Sequence, residues 1–214
     1  MATQRFKYPR TPHLPWSPGV SSDDLVTEVS SALVAAPVVV TEKLDGENST
    51  LYQDGLHARS LDGRHHPSRD WLKRLQGQIG YQIPAGFRVC GENLYARHSV
   101  AYEDLVSYFF VFSIWDETNT CLSWAETKAW AMRLGLELVP TLYEGPYDDA
   151  RLRSLKLDLQ RCEGYVVRSA GAFPYARFSE HVAKWVRRGH VQTDDHWMHG
   201  VVTPNGLREP GKKS

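Results

Sequence analysis

Pro37-Val38-Val39-Val40-Thr41-Glu42-Lys43-Leu44-Asp45-Gly46 is the stretch on which the fold turns. Its first five residues are a β-branched run bounded by proline, the composition of a buried strand. The run gives way to Glu42, Lys43 and Asp45, with Gly46 marking a turn. Charge at the end of an apolar strand is costly unless it is paired or used.

Working outward, Asn48–Gln53 and Leu56–Ser60 form two alternating runs about Asp54-Gly55, a hairpin signal. Residues 68–79 place Trp71, Leu72, Leu75 and Ile79 on one helical face. Strands are expected over 87–94 and over the aromatic run 107–115. Ser123 and Glu126 make a capping box for a helix that Gly135 stops at Leu134. A second helix is expected over 148–159, and strands over 164–169 and 181–186. Upstream, Ser21 or Ser22 can cap a short helix beginning at Asp23. Strands in hairpin-like pairs with helices between them predict an α+β fold with antiparallel sheets flanked by helices. One domain over 1–214 is expected, with an extended arm over 1–20 and a frayed tail over 206–214.

Bulk properties narrow the function. The 214 residues carry 25 basic and 25 acidic side chains, which argues against a protein that coats nucleic acid by charge but leaves room for a local basic cleft. Cys90, Cys121 and Cys162 are odd in number and widely spaced, so neither a disulfide framework nor a CxxC site is implied, and a reducing, cytoplasmic setting fits. No apolar run approaches the ~20 residues of a membrane span, and the N-terminus lacks a signal-peptide core. His65, His66, His190, His196 and His199 are too loosely spaced, with no cysteine near, to argue for zinc.

Four strand-associated segments set charge beside glycine or within apolar runs: Lys43-Leu-Asp-Gly46, Gly91-Glu92-Asn93, Glu163-Gly164-Tyr165-Val166-Val167 and Val182-Ala183-Lys184-Trp185-Val186. Together they imply one shared polar cleft. A lysine amine attacks phosphorus only when unprotonated, so such a site is expected to lower the lysine pKa by desolvation or nearby cations. Asp45, Glu92 and Glu163 offer hard oxygen donors that suit Mg2+ or Mn2+, acting through its water shell. Gly46 and Gly164 are expected to let backbone approach a nucleotide.

The order Lys-x-Asp-Gly, Arg, Gly-Glu-Asn, aromatic strand, Glu-Gly-Tyr-Val-Val-Arg and strand lysine, over roughly 37–187, resembles the covalent lysyl-nucleotidyltransferases. Within them it is most similar to ATP-dependent RNA ligases of the nick-sealing phage and RNA-editing type. The resemblance implies Lys43 as the residue that takes AMP, and Asp45, Glu92 and Glu163 as catalytic acids about a metal. It implies Lys184 on the α-phosphate, with Glu42, Arg59, Phe112 and Arg187 completing an ATP site in which Phe112 stacks on adenine. It implies Asn48, Arg59 and Arg64 at the nucleic acid. The implied substrates are RNA 5′-phosphate and 3′-hydroxyl ends joined in three steps, with an accessory protein or domain as a further partner.

The chain departs from the family at Val186, where a second lysine is usual; Arg187, one position on, is the expected replacement. The 27 residues after Arg187 leave no room for the OB fold of DNA ligases and capping enzymes, which favours RNA. A compact DNA ligase core, a GTP-using capping enzyme and an inactive nucleic-acid-binding fold are the alternatives. Arg64, Arg69, Lys73 and Arg74 offer either a phosphate track or a solvated helix face. Lys7, Arg10 and His13 of the arm are candidates for contact with pyrophosphate or RNA.

Overall fold

The computed structural model describes residues 3–22, 24–26, 28–61, 65–189 and 202–209. In chain order the elements are α1 (Ser31–Val34), β1 (Pro37–Lys43), β2 (Glu47–Tyr52), β3 (Gly55–Ala58), α2 (Asp70–Ile79), β4 (Arg88–Asn93), β5 (Phe109–Trp115), β6 (Thr120–Cys121), α3 (Trp124–Leu134), β7 (Glu137–Leu138), β8 (Thr141–Pro146), α4 (Asp149–Arg153), β9 (Gly164–Ser169), β10 (Phe173–Pro174), α5 (Phe178–His181) and β11 (Val182–Val186). They form an antiparallel sheet of order β11-β9-β1-β8, and a second sheet of order β10-β6-β5-β4-β2-β3 in which β7 adds a short parallel pairing to β5. The α+β class with antiparallel sheets is therefore as the sequence predicts.

Alternation along β1 decides what faces the seam between the sheets. Val38 and Val40 pack with Leu14, Leu33, Leu152 and Tyr165 on the outer face of the first sheet. Val39 packs the other way, with Leu44, Tyr102 and Phe110. With a two-residue period, Lys43 shares the inner side with Val39, and Glu42 shares the outer side with Val40. Leu44-Asp45-Gly46 then carries the chain from one sheet into β2 of the other. The outer face of the second sheet is closed by α2 and α3 around Phe109, Val111 and Ile114.

Two glycines are demanded by the protein's own crowding. A Cβ on Gly46 would lie 2.5 Å from Asn93 O, and one on Gly164 would lie 1.9 Å from Trp185 O. The sequence expectation gave both positions to close approach of a nucleotide. The space is instead taken by neighbouring backbone, so these glycines hold the strands of the seam together.

Several expectations need correction. Tyr52 pairs with Gly55, so Gln53-Asp54 is the hairpin turn and Gly55 opens β3. The helix expected over 148–159 stops at Arg153, because Leu155 and Leu157, at strand spacing, pack into the outer core. The helix expected from Asp23 is absent from the described residues there; Asp24 closes a turn with Ser21, and the first helix starts at Ser31, capped by Ser30. The capping box of α3 is present as predicted, with Gly135 left-handed at φ 66°. Residues 206–209, expected to fray, are tied down: Gly206 N–H donates to Tyr102 O, and Arg208 pairs with Asp104 at 2.9 Å. Residues 210–214 lie outside the described residues. The arm over 3–20 has neither helix nor strand of its own, and part of it runs along β11: Leu14 N–H donates to Lys184 O, and Lys184 N–H to Pro12 O.

Candidate active site

Lys43 ends β1 on the seam side, and its ammonium pairs with Glu163, the residue that precedes β9. The two backbones are joined as well, Glu163 N–H donating to Lys43 O at 2.9 Å. Burial works to lower the Lys43 pKa, but the charges of Glu163, Glu92 and Asp45 outweigh it and hold the ammonium above the ordinary lysine range. The protein's own groups therefore push opposite to the direction expected from the chemistry.

Asp45 is 2% exposed. One oxygen, Oδ2, accepts from Ser99 Oγ and from Val100 N–H, each at 2.6 Å, while the Asp45 N–H donates to the Tyr102 hydroxyl at 2.9 Å. Burial, then a hydrogen bond and the charge of the Glu163 carboxyl, push Asp45 up to about 6 despite those donors. Glu92 reaches the same turn from β4, Gly46 N–H donating to its Oε1 at 3.2 Å. Burial raises the Glu92 carboxyl to about 8, with Glu163 and Asp45 adding to the rise and Lys43 opposing it. Three carboxyls thus crowd one lysine at the sheet-to-sheet crossover.

Neighbouring strands extend this group. Asn48 on β2 lies directly across from Glu92, so the two share a face, and its Oδ1 is buried with no hydrogen-bond partner. Continuing the β2–β3 register one residue past Ala58 brings half-buried Arg59 level with Asn48. Phe110 lies across from Glu92 on the other side. Phe112 is the extra residue of a bulge, since Gly91 pairs with Val111 and Cys90 with Ser113. It is the one half-exposed residue of an otherwise buried β5, re-aimed toward the seam as bulge residues are. The Tyr8 ring meets Phe112 edge-on at 5.1 Å.

Lys184 lies on the seam side of β11 and is buried. Burial lowers its pKa; Asp24, with Oδ1 3.5 Å from the ammonium, opposes that, and Lys43 reinforces it. Val186 is fully buried on the same side, and Arg187 is one residue past the strand, its N–H donating to Glu163 O at 2.9 Å. Strand phase puts position 187 opposite to Lys184. Glu42, on the outer phase of β1, has its carboxyl raised by burial and lies in the field of Arg161 and Asp158. The structure thus gathers Lys43, Asp45, Glu92 and Glu163 closely, sets Lys184 beside them, and turns Glu42 away. Arg64 lies outside the described residues, as do His190, His196 and His199. Arg69 is no phosphate track: it is buried and forks onto Glu47, its Nε 2.8 Å from Oε2.

Among the described residues no three His, Cys, Asp or Glu side chains are arranged to grip one ion directly. The donor set instead suits a cation held through water by one or two carboxylates.

A sequence profile of the RNA ligase family matches residues 36–186, about seven tenths of the chain and the segments that carry Lys43, Asp45, Glu92, Glu163 and Lys184. The chain belongs to the RNA ligase family. Among solved structures, an archaeal ATP-dependent RNA ligase is similar at 18% identity and a TM-score of 0.56, over 84% of this chain and 48% of that one. Naegleria gruberi RNA ligase with PPi is similar at 17% identity and 0.52, over 86% and 61%. A variant of that enzyme with ATP and Mn gives 17% and 0.51, over 74% and 51%. These likenesses confirm the ligase-type nucleotidyltransferase fold, and the chain spans about half the length of the relatives. No curated protein sequence matches it. No helix among the described residues is long and apolar enough to cross a membrane.

Within this RNA ligase fold, sequence reasoning missed Ser99, Tyr102 and Asp24. Each sits in a loop or turn without periodicity, and its partner is 54, 57 or 160 residues away. A polar residue in an aperiodic loop carries no sequence signal of such a partner.

Proposed function

We propose that this chain is an ATP-dependent RNA ligase catalytic domain, one domain over its whole length, that joins 5′-phosphate to 3′-hydroxyl ends through lysyl-AMP and 5′-adenylylated RNA. The observation that carries the proposal is the convergence of Lys43, Asp45, Glu92 and Glu163 on the β1–β2 crossover, in a chain of this family. The Naegleria relative solved with ATP and manganese, and with pyrophosphate, supports ATP as the nucleotide.

In the first step Lys43 Nζ, having lost its proton, forms a bond to the α-phosphorus as the bond to the β-phosphate oxygen breaks, releasing pyrophosphate. AMP then passes to an RNA 5′-phosphate, making a 5′-5′ pyrophosphate and freeing the lysine. A 3′-hydroxyl attacks that activated phosphate and AMP departs. Lys184 is suited to face the α-phosphate from β11, and Phe112 to lie against adenine. Asn48 and Arg59 continue the row from Glu92 and are suited to the RNA end, and Arg64 belongs with them in the proposal. Arg187 contacts ATP by turning its side chain back from the outer phase, and Glu42 acts from behind β1. Asp45, Glu92 and Glu163 would hold Mg2+ or Mn2+ through its waters, supplying positive charge that lowers the Lys43 pKa and screens the phosphates. The chain's own part is alignment and charge placement. The three cysteines, all free and buried, suit a cytoplasmic setting, and an accessory protein or domain is proposed to help hold the RNA.

Intact mass before and after ATP with magnesium, beside Lys43→Ala, tests the proposal. A gain of one AMP, lost in the variant and discharged by 5′-phosphorylated RNA, is expected. Folded protein free of prior AMP that gains nothing from ATP would overturn it.

A further inference from the structure

The segment 202–209, beyond the span that the family profile matches, packs against the loop between β4 and β5 through backbone bonds such as Arg97 N–H to Thr203 O and Leu105 N–H to Gly206 O, and one buried side chain joins two points of that loop. Asn205 is 5% exposed. Its Nδ2 donates to Leu94 O at 2.8 Å, and its Oδ1 accepts from Tyr102 N–H at 3.0 Å. Its backbone N–H donates to Tyr95 O at 2.9 Å, and its carbonyl accepts from the Tyr108 hydroxyl at 2.8 Å. Gly206 N–H adds a bond to Tyr102 O at 2.8 Å. One amide side chain therefore bridges the end of β4 to Tyr102, closing the loop at both ends.

That loop is the one that holds Asp45. Tyr102 is fixed at its backbone by Asn205 and Gly206, and its hydroxyl accepts the Asp45 N–H. Ser99 and Val100, between the two points that Asn205 joins, supply both donors to Asp45 Oδ2. A loop without helix or strand has no ladder of its own to keep it in place. Buried, fully bonded polar groups specify one arrangement, and lose it when a partner is removed.

Resting on the function proposed above, we propose that Asn205 is a positioning residue for the ligase reaction: it closes the 94–105 loop so that Ser99, Val100 and Tyr102 fix Asp45 beside Lys43. Asn205 touches no reacting group and acts only through that loop. Its work is at the step that forms lysyl-AMP, where misplacement on the order of 1 Å costs about a hundredfold in rate.

The test compares wild type with Asn205→Ala by two readouts. Amide hydrogen exchange is followed at Asp45 and Val100, whose N–H groups lie in this network, with Val39 of β1 as the internal control. Exchange faster by about tenfold or more at the first two, with Val39 unchanged, is expected for local opening. Lysyl-AMP formation at saturating ATP should fall about 10- to 100-fold, with half-saturation by ATP shifted less than about threefold. Unchanged exchange overturns the proposal, and so does faster exchange with a wild-type rate, which would make Asn205 a staple for the tail alone. If Asn205→Ala does not fold, Asn205→Asp, which keeps an acceptor for Tyr102 and turns a carboxylate instead of a donor toward the carbonyls of Leu94 and Ala96, is held to the same two outcomes. A wild type that forms no lysyl-AMP overturns the proposed function instead, and the exchange arm then decides by itself whether Asn205 holds the loop on Asp45.

Discussion

Two buried charge groups flank Gly46, and they are built on opposite terms. Downstream, Glu47 at the start of β2 meets the fork of Arg69, one carboxylate to one guanidinium, with the hydrogen bonds closed on both sides. Upstream, Lys43 faces Glu163, Asp45 and Glu92, three carboxyls to one ammonium, and Asp45 and Glu92 are pushed up to about 6 and about 8. The matched pair anchors α2 to the second sheet. The unmatched group holds excess negative charge in a largely buried seam, which is costly for folding and suited to holding cations. Lys43 and Glu47, four positions apart in the chain, thus belong to groups of opposite balance, one with its charges matched and one with carboxyls in excess.

The comparison breaks most completely at Lys43: Lys43→Ala should abolish the AMP adduct seen by intact mass, whereas Arg69→Lys should keep it. Arg69→Ala should instead strip a buried carboxylate of its partner and cost about 3–5 kcal/mol in urea unfolding. A loss below about 1 kcal/mol would make the two groups alike.

Glu92 sharpens the contrast through pH. A carboxyl raised in the fold is protonated in both states below its unfolded value near 4.5, so stability is highest there. It falls as pH rises from there to about 8, the reverse of a salt-bridged acid, because folding then demands a charge that the site resists or a proton that the unfolded chain has shed. Glu92→Gln should flatten that fall, raising the melting temperature more at pH 8.5 than at pH 5 (roughly the two sides of the window). Magnesium should raise the wild-type melting temperature at pH 8.5, and less in the variant, by mass action on the folded state. The smallest effect belongs to the exposed Asp70–Lys73 pair on α2, where Lys73→Ala should leave the urea midpoint unchanged within error.

Most of the unmatched half of this contrast was legible in the chain. Lys43, Asp45, Glu92, Glu163 and Lys184 stand at strand ends beside glycines or within apolar runs, where uncompensated charge is conspicuous. The matched half was not. Arg69 reads as one more cation on a solvated helix, and nothing local says that Glu47, 22 residues earlier, will meet it in the interior. Glu42 and Lys43 look equivalent in a polar cluster, yet strand phase sends them to opposite faces of β1. Helix α4 was overextended because Leu155 and Leu157 satisfy a loose helical pattern as well as a strand-like one.

By itself, then, the sequence determined the strand pairs, the capped helix α3, the order of the charged segments and the family to which they belong, since propensity, caps and strand-end charge are local properties. Only the tertiary structure decided that the crossover at Leu44–Gly46 joins two sheets, that Gly46 and Gly164 yield to backbone, and that Asn205, through Tyr102, reaches Asp45 from 160 residues away. Those depend on which distant surfaces pack together, and burial gives a polar group its partner only after the chain has closed around it.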